Sequence, residues 1–128
     1  MKLSSILNYN VNTIAADDTL NKALEMMNSM NFNGMPVVNS DNQLVGMIVK
    51  ADVYRFLIEQ GHYDSYPVER VMSKSVITAE VNEDILAVAK RLRESNIVAI
   101  PVLENEKVVG IISMENLIDY FISKNFQE

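Results

Sequence analysis

Two short stretches hold the side chains that a chemical site would need. Residues 44–52 read LVGMIVKAD and residues 108–116 read VVGIISMEN. Each sets two aliphatics before a glycine, two after it, and a short polar side chain six positions beyond the glycine. That side chain is Asp52 in the first and Asn116 in the second, where Ser113 adds a hydroxyl. Adjacent acids also recur, at Asp17–Asp18 and Glu83–Asp84. Paired carboxylates are raw material for general acid–base work. Both pairs, however, fall where helices are predicted to begin, and negative charge there interacts favourably with the helix dipole. They are read as caps, with Asp17 or Asp18 opening the first helix and Asn82 the turn before its counterpart. His62 is the only histidine and cysteine is absent. A thiol nucleophile and a Cys/His metal set are therefore excluded. No nucleophile–base pair or Walker loop is present, so no catalytic and no metal-ligating residue is assigned.

Composition narrows the field further. The 128 residues are 48% hydrophobic and 22% charged, ordinary for a globular chain. Net charge is −6, from 11 Lys+Arg against 17 Asp+Glu. Nucleic-acid binders usually present a basic face, so DNA and RNA are poor partners. A small phosphate compound remains compatible, because backbone amides and one or two cations suffice to hold it. The opening MKLSSILNYN lacks the apolar stretch of a signal peptide. No run approaches the ~20 apolar residues of a membrane span. The expected address is the cytoplasm. The eight methionines fall mostly at helical core spacing and need no cofactor to explain them.

The elements that must position these residues come from an internal repeat. Slid by 65, Thr13 lands on Thr78, Asn31 on Asn96, Pro36 on Pro101 and Val37 on Val102; slid by 64, Val45 lands on Val109 and Gly46 on Gly110. The change of offset falls where NSDNQ faces the shorter ENEK, a polar turn that tolerates a deletion. Leu20, Ala23, Leu24 and Met27 form one helical stripe, and Ile85, Val88, Ala89 and Leu92 form its copy. Each helix leads into Pro-Val-aliphatic and then a second aliphatic run, a β-hairpin with the proline expected at the first residue of its strand. A second helix follows, over about 51–60 and 115–125, with Val53, Phe56 and Leu57, then Leu117 and Phe121, on its apolar face. Short extended segments at residues 11–14 and 76–79 open the copies. The fold class is α/β (α+β), two β-α-β-β-α repeats. The expected division is 1–60, a linker at 61–69, and 70–128. The linker assignment rests on Gly and Pro without an apolar period. A repeat of ~60 residues has a marginal core alone, so the two should pack together.

The doubled order, over about residues 4–125, resembles the CBS domain, named for cystathionine beta-synthase. The segment from Met72 to Phe121 resembles a typical member from end to end. The resemblance implies two repeats packed across their sheets with pseudo-twofold symmetry, and two clefts between the repeats that take adenosyl compounds: AMP, ADP, ATP or S-adenosylmethionine. In that family the repeated stretch runs Gly-aliphatic-aliphatic-Ser/Thr-x-x-Asp. The glycine admits close approach, the hydroxyl addresses phosphate at a helix N-terminus, and the carboxylate accepts from ribose hydroxyls. By position this chain offers Gly110, Ser113 and Asn116 in one copy, and Gly46, Val49 and Asp52 in the other. Each copy departs from the pattern in one place. The loss of one bond to a charged partner costs roughly 1.5–3 kcal/mol, or about 10- to 100-fold in affinity. Modest affinity is expected.

The resemblance further implies how the clefts are assembled. One would combine Ser113 and Asn116 with Val11, Asn12, Phe32 and Asn33. The other would combine Asp52 and Lys50 with Val76, Ile77, Ile97 and Val98, with Lys50 neutralising phosphate in place of the missing hydroxyl. Asp52, Asn116 and Ser113 also suit plain helix capping, and Phe32 suits packing as readily as base stacking. The functional expectation is a regulatory module sensing an adenine nucleotide or related adenosyl ligand, not an enzyme. The alternative is a ligand-free interaction scaffold. Tyr54, Phe56, Leu57 and Ile58, with Leu117, Ile118, Tyr120, Phe121 and Ile122, give the second helices more apolar width than one sheet covers. A homodimer through those helices is expected, with an unidentified regulated protein as its further partner.

Overall fold

Six strands and four helices follow one another in the same order twice, in a computed structural model that describes residues 1–7 and 9–125. Asn8 and the last three residues of the expected second repeat lie outside the described residues. The first copy comprises β1 (Ile14–Ala15), α1 (Leu20–Met30), β2 (Gly34–Val38), β3 (Leu44–Val49) and α2 (Lys50–Ile58). The second comprises β4 (Ala79–Glu80), α3 (Ile85–Ser95), β5 (Ala99–Glu104), β6 (Lys107–Ser113) and α4 (Met114–Asn125). Each sheet has three strands, β1-β2-β3 and β4-β5-β6, with the first pair parallel and the hairpin antiparallel. The extended openings expected at 11–14 and 76–79 pair only at their ends, in strands of two residues.

Helix boundaries follow from capping chemistry. Thr19 caps α1 by accepting from the Lys22 amide at 3.1 Å, and Asp84 caps α3 by accepting from the Leu86 amide at 3.2 Å. The expectation that Asp17 or Asp18 caps α1 is thereby corrected: the cap lies one residue further on. In the second copy Asp84, one of the acids expected to cap, does hold the cap of α3, and Asn82 lies in the turn two positions before it. The neighbouring acids have a different task. Asp18 accepts from the Ala15 amide and Glu83 from the Glu80 amide, so each ties the end of its short strand to the helix start. Both helices close on asparagine in the left-handed region, Asn31 (φ 60°) and Asn96 (φ 54°). The next amides, of Phe32 and Ile97, reach back to the carbonyls of Met27 (2.8 Å) and Leu92 (3.0 Å).

The prolines sit third in their strands, not first. Pro36 faces Met47, whose amide and carbonyl both bond to Ser73 instead. A residue opposite such a pair donates nothing across the hairpin, so the missing N–H leaves no gap. Pro101, facing Ile111, holds the same place in the second copy.

The compact units do not follow the expected division. One unit is Asn12–Val76; the other is Met1–Val11 with Ile77–Glu128. The segment read as a linker is packed. Val68 is fully buried in a 3₁₀ turn, Val68–Arg70, within the core of the first unit, among Leu20, Met27, Val37, Ile48 and Val53. Leu3, in the turn Leu3–Ser5, is buried in the second unit with Ile85, Val88, Leu92, Ile100 and Ile112. The two dockings use the same bonds. Leu3 N–H donates to the Glu83 carbonyl, Ser4 to Val81, and Ile85 to Met1; Val68 donates to Asp18, Glu69 to Ala16, and Leu20 to Tyr66. Every pair is related by the 65-residue offset. The opening segment of each repeat therefore completes the core built by the other repeat's strands and helices. Val68, Val71 and Met72 repeat the i, i+3, i+4 spacing of Leu3, Ile6 and Leu7, a short apolar period that the surrounding Gly and Pro mask as a linker.

Gly46 is explained by this docking. A Cβ at that position would lie 2.7 Å from Met72 Sδ and 2.8 Å from the Ser73 carbonyl oxygen. Its bareness admits the crossing segment, whereas the family pattern had suggested close approach of a ligand.

Candidate functional site

Each unit gathers its share of the expected site residues at one end of its own sheet. In the first unit Ile14 pairs with Val37 and Gly34 with Val49, which sets Asn12, Phe32, Asn33, Lys50 and Asp52 around the same strand end. In the second unit Ala79 pairs with Val102 and Ala99 with Ser113, which does the same for Ile77, Ile97, Val98, Ser113 and Asn116. One backbone bond locks both arrangements. The Lys50 amide donates to the Asn33 carbonyl at 2.7 Å, and the Met114 amide donates to the Val98 carbonyl at 2.8 Å. The loop before the proline strand is thus tied to the first residue of the second helix in each copy.

The polar chemistry at the two ends differs. At α4, Ser113 Oγ accepts from the Asn116 amide and Asn116 Oδ1 accepts from the Ser113 amide, each at 3.1 Å. This is a reciprocal capping box, with asparagine in the usual place of Glu or Gln. Two acceptor oxygens are engaged by it. Each oxygen keeps a second lone pair, and the Ser113 hydroxyl proton and the Asn116 NH₂ remain to donate to a ligand.

At α2 the corresponding cap is Val49, which has an extended backbone and no side-chain acceptor. Asp52 does not substitute for it. Its half-buried carboxylate forms an ion pair with Arg55, one turn along the helix. Lys50 is half-buried at the first helical position. This end therefore offers a carboxylate, an ammonium and a guanidinium, where the other offers neutral groups. Sequence reasoning missed Arg55, although its i+3 spacing from Asp52 was there to be read.

The apolar members separate as well. Ile97 packs against the core of the second unit, whereas Phe32, its counterpart, is exposed. Val98 is 72% exposed and Ile77 is also exposed, so neither serves a core. Asn12 is half-buried and Asn33 exposed.

A second feature missed from sequence braces one of these ends. The Arg91 guanidinium donates to the Thr78 carbonyl and to Glu83 Oε2, both at 2.9 Å, and its other nitrogen bonds Glu83 Oε1. This bidentate pair holds the Glu83 carboxyl below its ordinary value, while partial burial opposes the shift. It pins the strand entry at Thr78, next to Ile77. Met26 stands at the matching place in the first copy, so that copy has no such brace.

Part of the apolar surplus on the second helices is covered. Phe56 stacks on the His62 ring at 3.8 Å between centroids, with Tyr66 tilted against both. His62 Nδ1 lies 2.8 Å from the Phe56 carbonyl. The only histidine is thus a packing partner of α2. Leu117 is buried, and Leu57 and Tyr120 are half-buried. Tyr54, Ile58, Ile118, Phe121 and Ile122 remain exposed. No helix among the described residues is long and apolar enough to cross a membrane, and no cluster of potential metal ligands occurs among them.

Comparison with known proteins places this geometry. The family model described as "CBS domain" matches twice, over residues 3–59 and 68–123. A homoserine O-acetyltransferase of Methanococcus vannielii is 34% identical over 116 residues, covering 90% of this chain but 24% of that protein. The chain spans about a quarter of the length of the curated relatives it matches first. Among solved structures, the CBS domain pair of protein MJ0100, in complex with 5′-methylthioadenosine and S-adenosyl-L-methionine, superposes with a TM-score of 0.83. It is 27% identical, and the match covers 97% of this chain and 98% of that one. CBSX2 in complex with AMP superposes with a TM-score of 0.86 at 19% identity, over 97% and 98% of the two chains, a likeness of fold.

Proposed function

The chain belongs to the CBS-domain family, and on that premise we propose that it is a regulatory module that senses an adenosyl compound through the two strand-end sets. The observation that carries this reading is the twice-built strand end. In both copies the loop before the proline strand is bonded to the start of the second helix, beside side chains that can address phosphate and ribose. A relative 27% identical over nearly the whole chain has been solved with 5′-methylthioadenosine and S-adenosyl-L-methionine. Ser113 and Asn116 donate to phosphate or ribose oxygens. Lys50 supplies charge, and Asp52 accepts from ribose once it exchanges Arg55 for ligand. Phe32, Ile77, Ile97 and Val98 supply apolar surface, and Asn12 and Asn33 supply amide groups. The module has no catalytic role of its own and works in the cytoplasm on a separate or attached protein.

A second reading is favoured by the closed capping box. Ser113 and Asn116 already satisfy each other, and Val49 brings no hydroxyl. On that reading the chain is a ligand-free scaffold, dimerising through the exposed Tyr54 and Ile58 of α2 and Ile118, Phe121 and Ile122 of α4. A thermal-shift and calorimetric panel of S-adenosylmethionine, 5′-methylthioadenosine, adenosine, AMP, ADP and ATP separates the two. A ligand that binds only the folded chain adds about 2.7 kcal/mol of stability at 100 times its Kd. Sensing requires at least one such rise, weakened by Ser113→Ala for phosphorylated ligands more than for adenosine. No rise with any member leaves the scaffold. Light scattering giving a monomer at tens of micromolar would refute the dimer.

A further inference from the structure

The first unit carries a cavity that the adenosyl reading does not use. It lies at the opposite end of the sheet from Asn33 and Lys50, where β1 and β2 finish and the segment after Pro67 crosses them. Its volume is about 500 Å³, inside the usual range for small-molecule pockets. The walls are Ala15, Ala16, Val38, Val45 and Met72; the polar rim includes the carboxylates of Asp17 and Glu69. Neither acid has an ion-pair partner among the described residues, and no lysine, arginine or histidine lines the space. Asn39, also on the rim, is held by its own turn, accepting from the amides of Asp41 (3.0 Å) and Gln43 (2.9 Å).

The second copy explains why the space exists. At the matching positions Glu80, Val81 and Leu103 stand for Ala15, Ala16 and Val38, and Asn82 and Ser4 stand for Asp17 and Glu69. Three small-for-large differences open this end of the first unit, and the acids move from Glu80 and Glu104 in the second copy to Asp17 and Glu69 in the first. We propose that this cavity is a binding site for a small organic cation, an ammonium group on a compact apolar body. The apolar walls remove the body from water, and ionised carboxylates, which only accept hydrogen bonds, receive the ammonium. The net charge of −6 raises the local concentration of cations without choosing among them. The site is separate from the adenosyl sets, so each reading stands or falls alone.

The test is a ¹H–¹⁵N titration of the intact chain with three probes of one shape: 2-phenylethylammonium, 2-phenylethanol and phenylacetate. Saturable shifts are expected at the amides of Ala15, Ala16, Asn39 and Ser40 with the cation. Binding should be about tenfold weaker for the alcohol, and weaker again for the anion. Writing the second copy's residues into the first, Ala16→Val with Val38→Leu, fills the cavity and should abolish the shifts. Should that variant fail to fold, Asp17→Asn with Glu69→Gln, on exposed side chains, should cost the cation about tenfold and leave the alcohol unchanged. Non-saturable shifts, shifts elsewhere, equal binding of the three probes, or binding that survives both variants would each overturn the proposal.

Discussion

The two strand ends share one backbone and differ in nearly every polar side chain. At α4 a hydroxyl and an amide close on each other's backbone and leave neutral groups outward, with no charge among them. At α2 an uncapped helix start stands beside a carboxylate already paired with Arg55. The strand entry next to the first is braced by Arg91, while the other has Met26 in that place. Duplication preserved what the fold requires: the loop-to-helix bond, the asparagine at each first-helix end, the docked 3₁₀ turn. It did not preserve the groups that would meet a ligand. Two equal sites are therefore not expected, and the differences can be exchanged between copies by mutation.

The largest effect should come from the docked turns, which the two units share. Leu3 is fully buried, so Leu3→Ala should destabilise by about 2–5 kcal/mol, the range for deleting a buried leucine side chain. Denaturant titration measures the loss. Amide exchange should rise first in the turn between β4 and α3 and at the start of α3, where residues 1–4 bond to Val81, Glu83 and Ile85. Equal loss of protection in β1 and α1 would mean that the exchanged segment does not belong to one unit's core.

Arg91→Met, which writes the first copy's residue into the second, should cost about 1.5–3 kcal/mol at neutral pH, the scale of hydrogen bonds to charged groups. The pH dependence has a definite sign. Glu83 is held below its ordinary value of 4.5 in the folded state, so its contribution is fully present above that value. It is lost as pH falls through the lower folded value, where the folded state must give up the Arg91 bond. Wild type should therefore lose more stability than Arg91→Met between neutral pH and about pH 3. Parallel curves would show that the pair makes no net contribution.

The next step exchanges the helix starts. Ser113→Ala removes one arm of the capping box and should cost about 0.5–2 kcal/mol. Val49→Ser offers α2 a hydroxyl at a residue whose backbone, φ −122° and ψ 145°, suits a cap. Its half-buried methyl groups are lost in exchange, at about 0.8 kcal/mol per buried carbon, so its net effect should be smaller than that of Ser113→Ala. Calorimetry adds a second readout. Val49→Ser should tighten phosphate-bearing ligands only, and Asn116→Asp should tighten any ribose-bearing ligand by up to about 10- to 100-fold.

Much of the fold was legible because two copies vouch for each other. The stripes of Leu20 and Ile85, the hairpins, and the offset change at the polar turn all repeat in phase. What stayed hidden has a physical reason in each case. Val68 and Leu3 open apolar triplets of one turn only, Val68/Val71/Met72 and Leu3/Ile6/Leu7, and a single turn says nothing of which repeat's core it enters. The role of Gly46 depends on a segment that arrives from far along the chain. At the candidate site, residue types were readable but their engagement was not. Ser113 and Asn116 could bond a ligand or each other, and only geometry decides which they do in the free chain. Arg91 reads as ordinary helix surface until Glu83, eight residues away, is placed beside it, whereas the i+3 spacing of Asp52 and Arg55 is visible in the sequence.

The smallest effect discriminates between adjacent acids. From sequence, Asp17 and Asp18 are equivalent candidates to cap α1, yet Thr19 holds the cap. Thr19→Ala should cost about 0.5–2 kcal/mol, since it removes a side-chain acceptor from a helix start, and Asp84→Ala should lower stability in the same direction. Asp18 accepts from the Ala15 amide and pairs with Lys22 at 3.3 Å, an exposed contact of roughly 0.2–1 kcal/mol. Asp17 is exposed and makes no ion pair among the described residues. Asp17→Ala should accordingly leave stability within about 0.5 kcal/mol of wild type, while it weakens any cation held at the cavity rim. Thermal melts of the three variants at one pH decide the order. A loss at Asp17 as large as that at Thr19 would mean that the helix start is built on the residue the sequence first suggested.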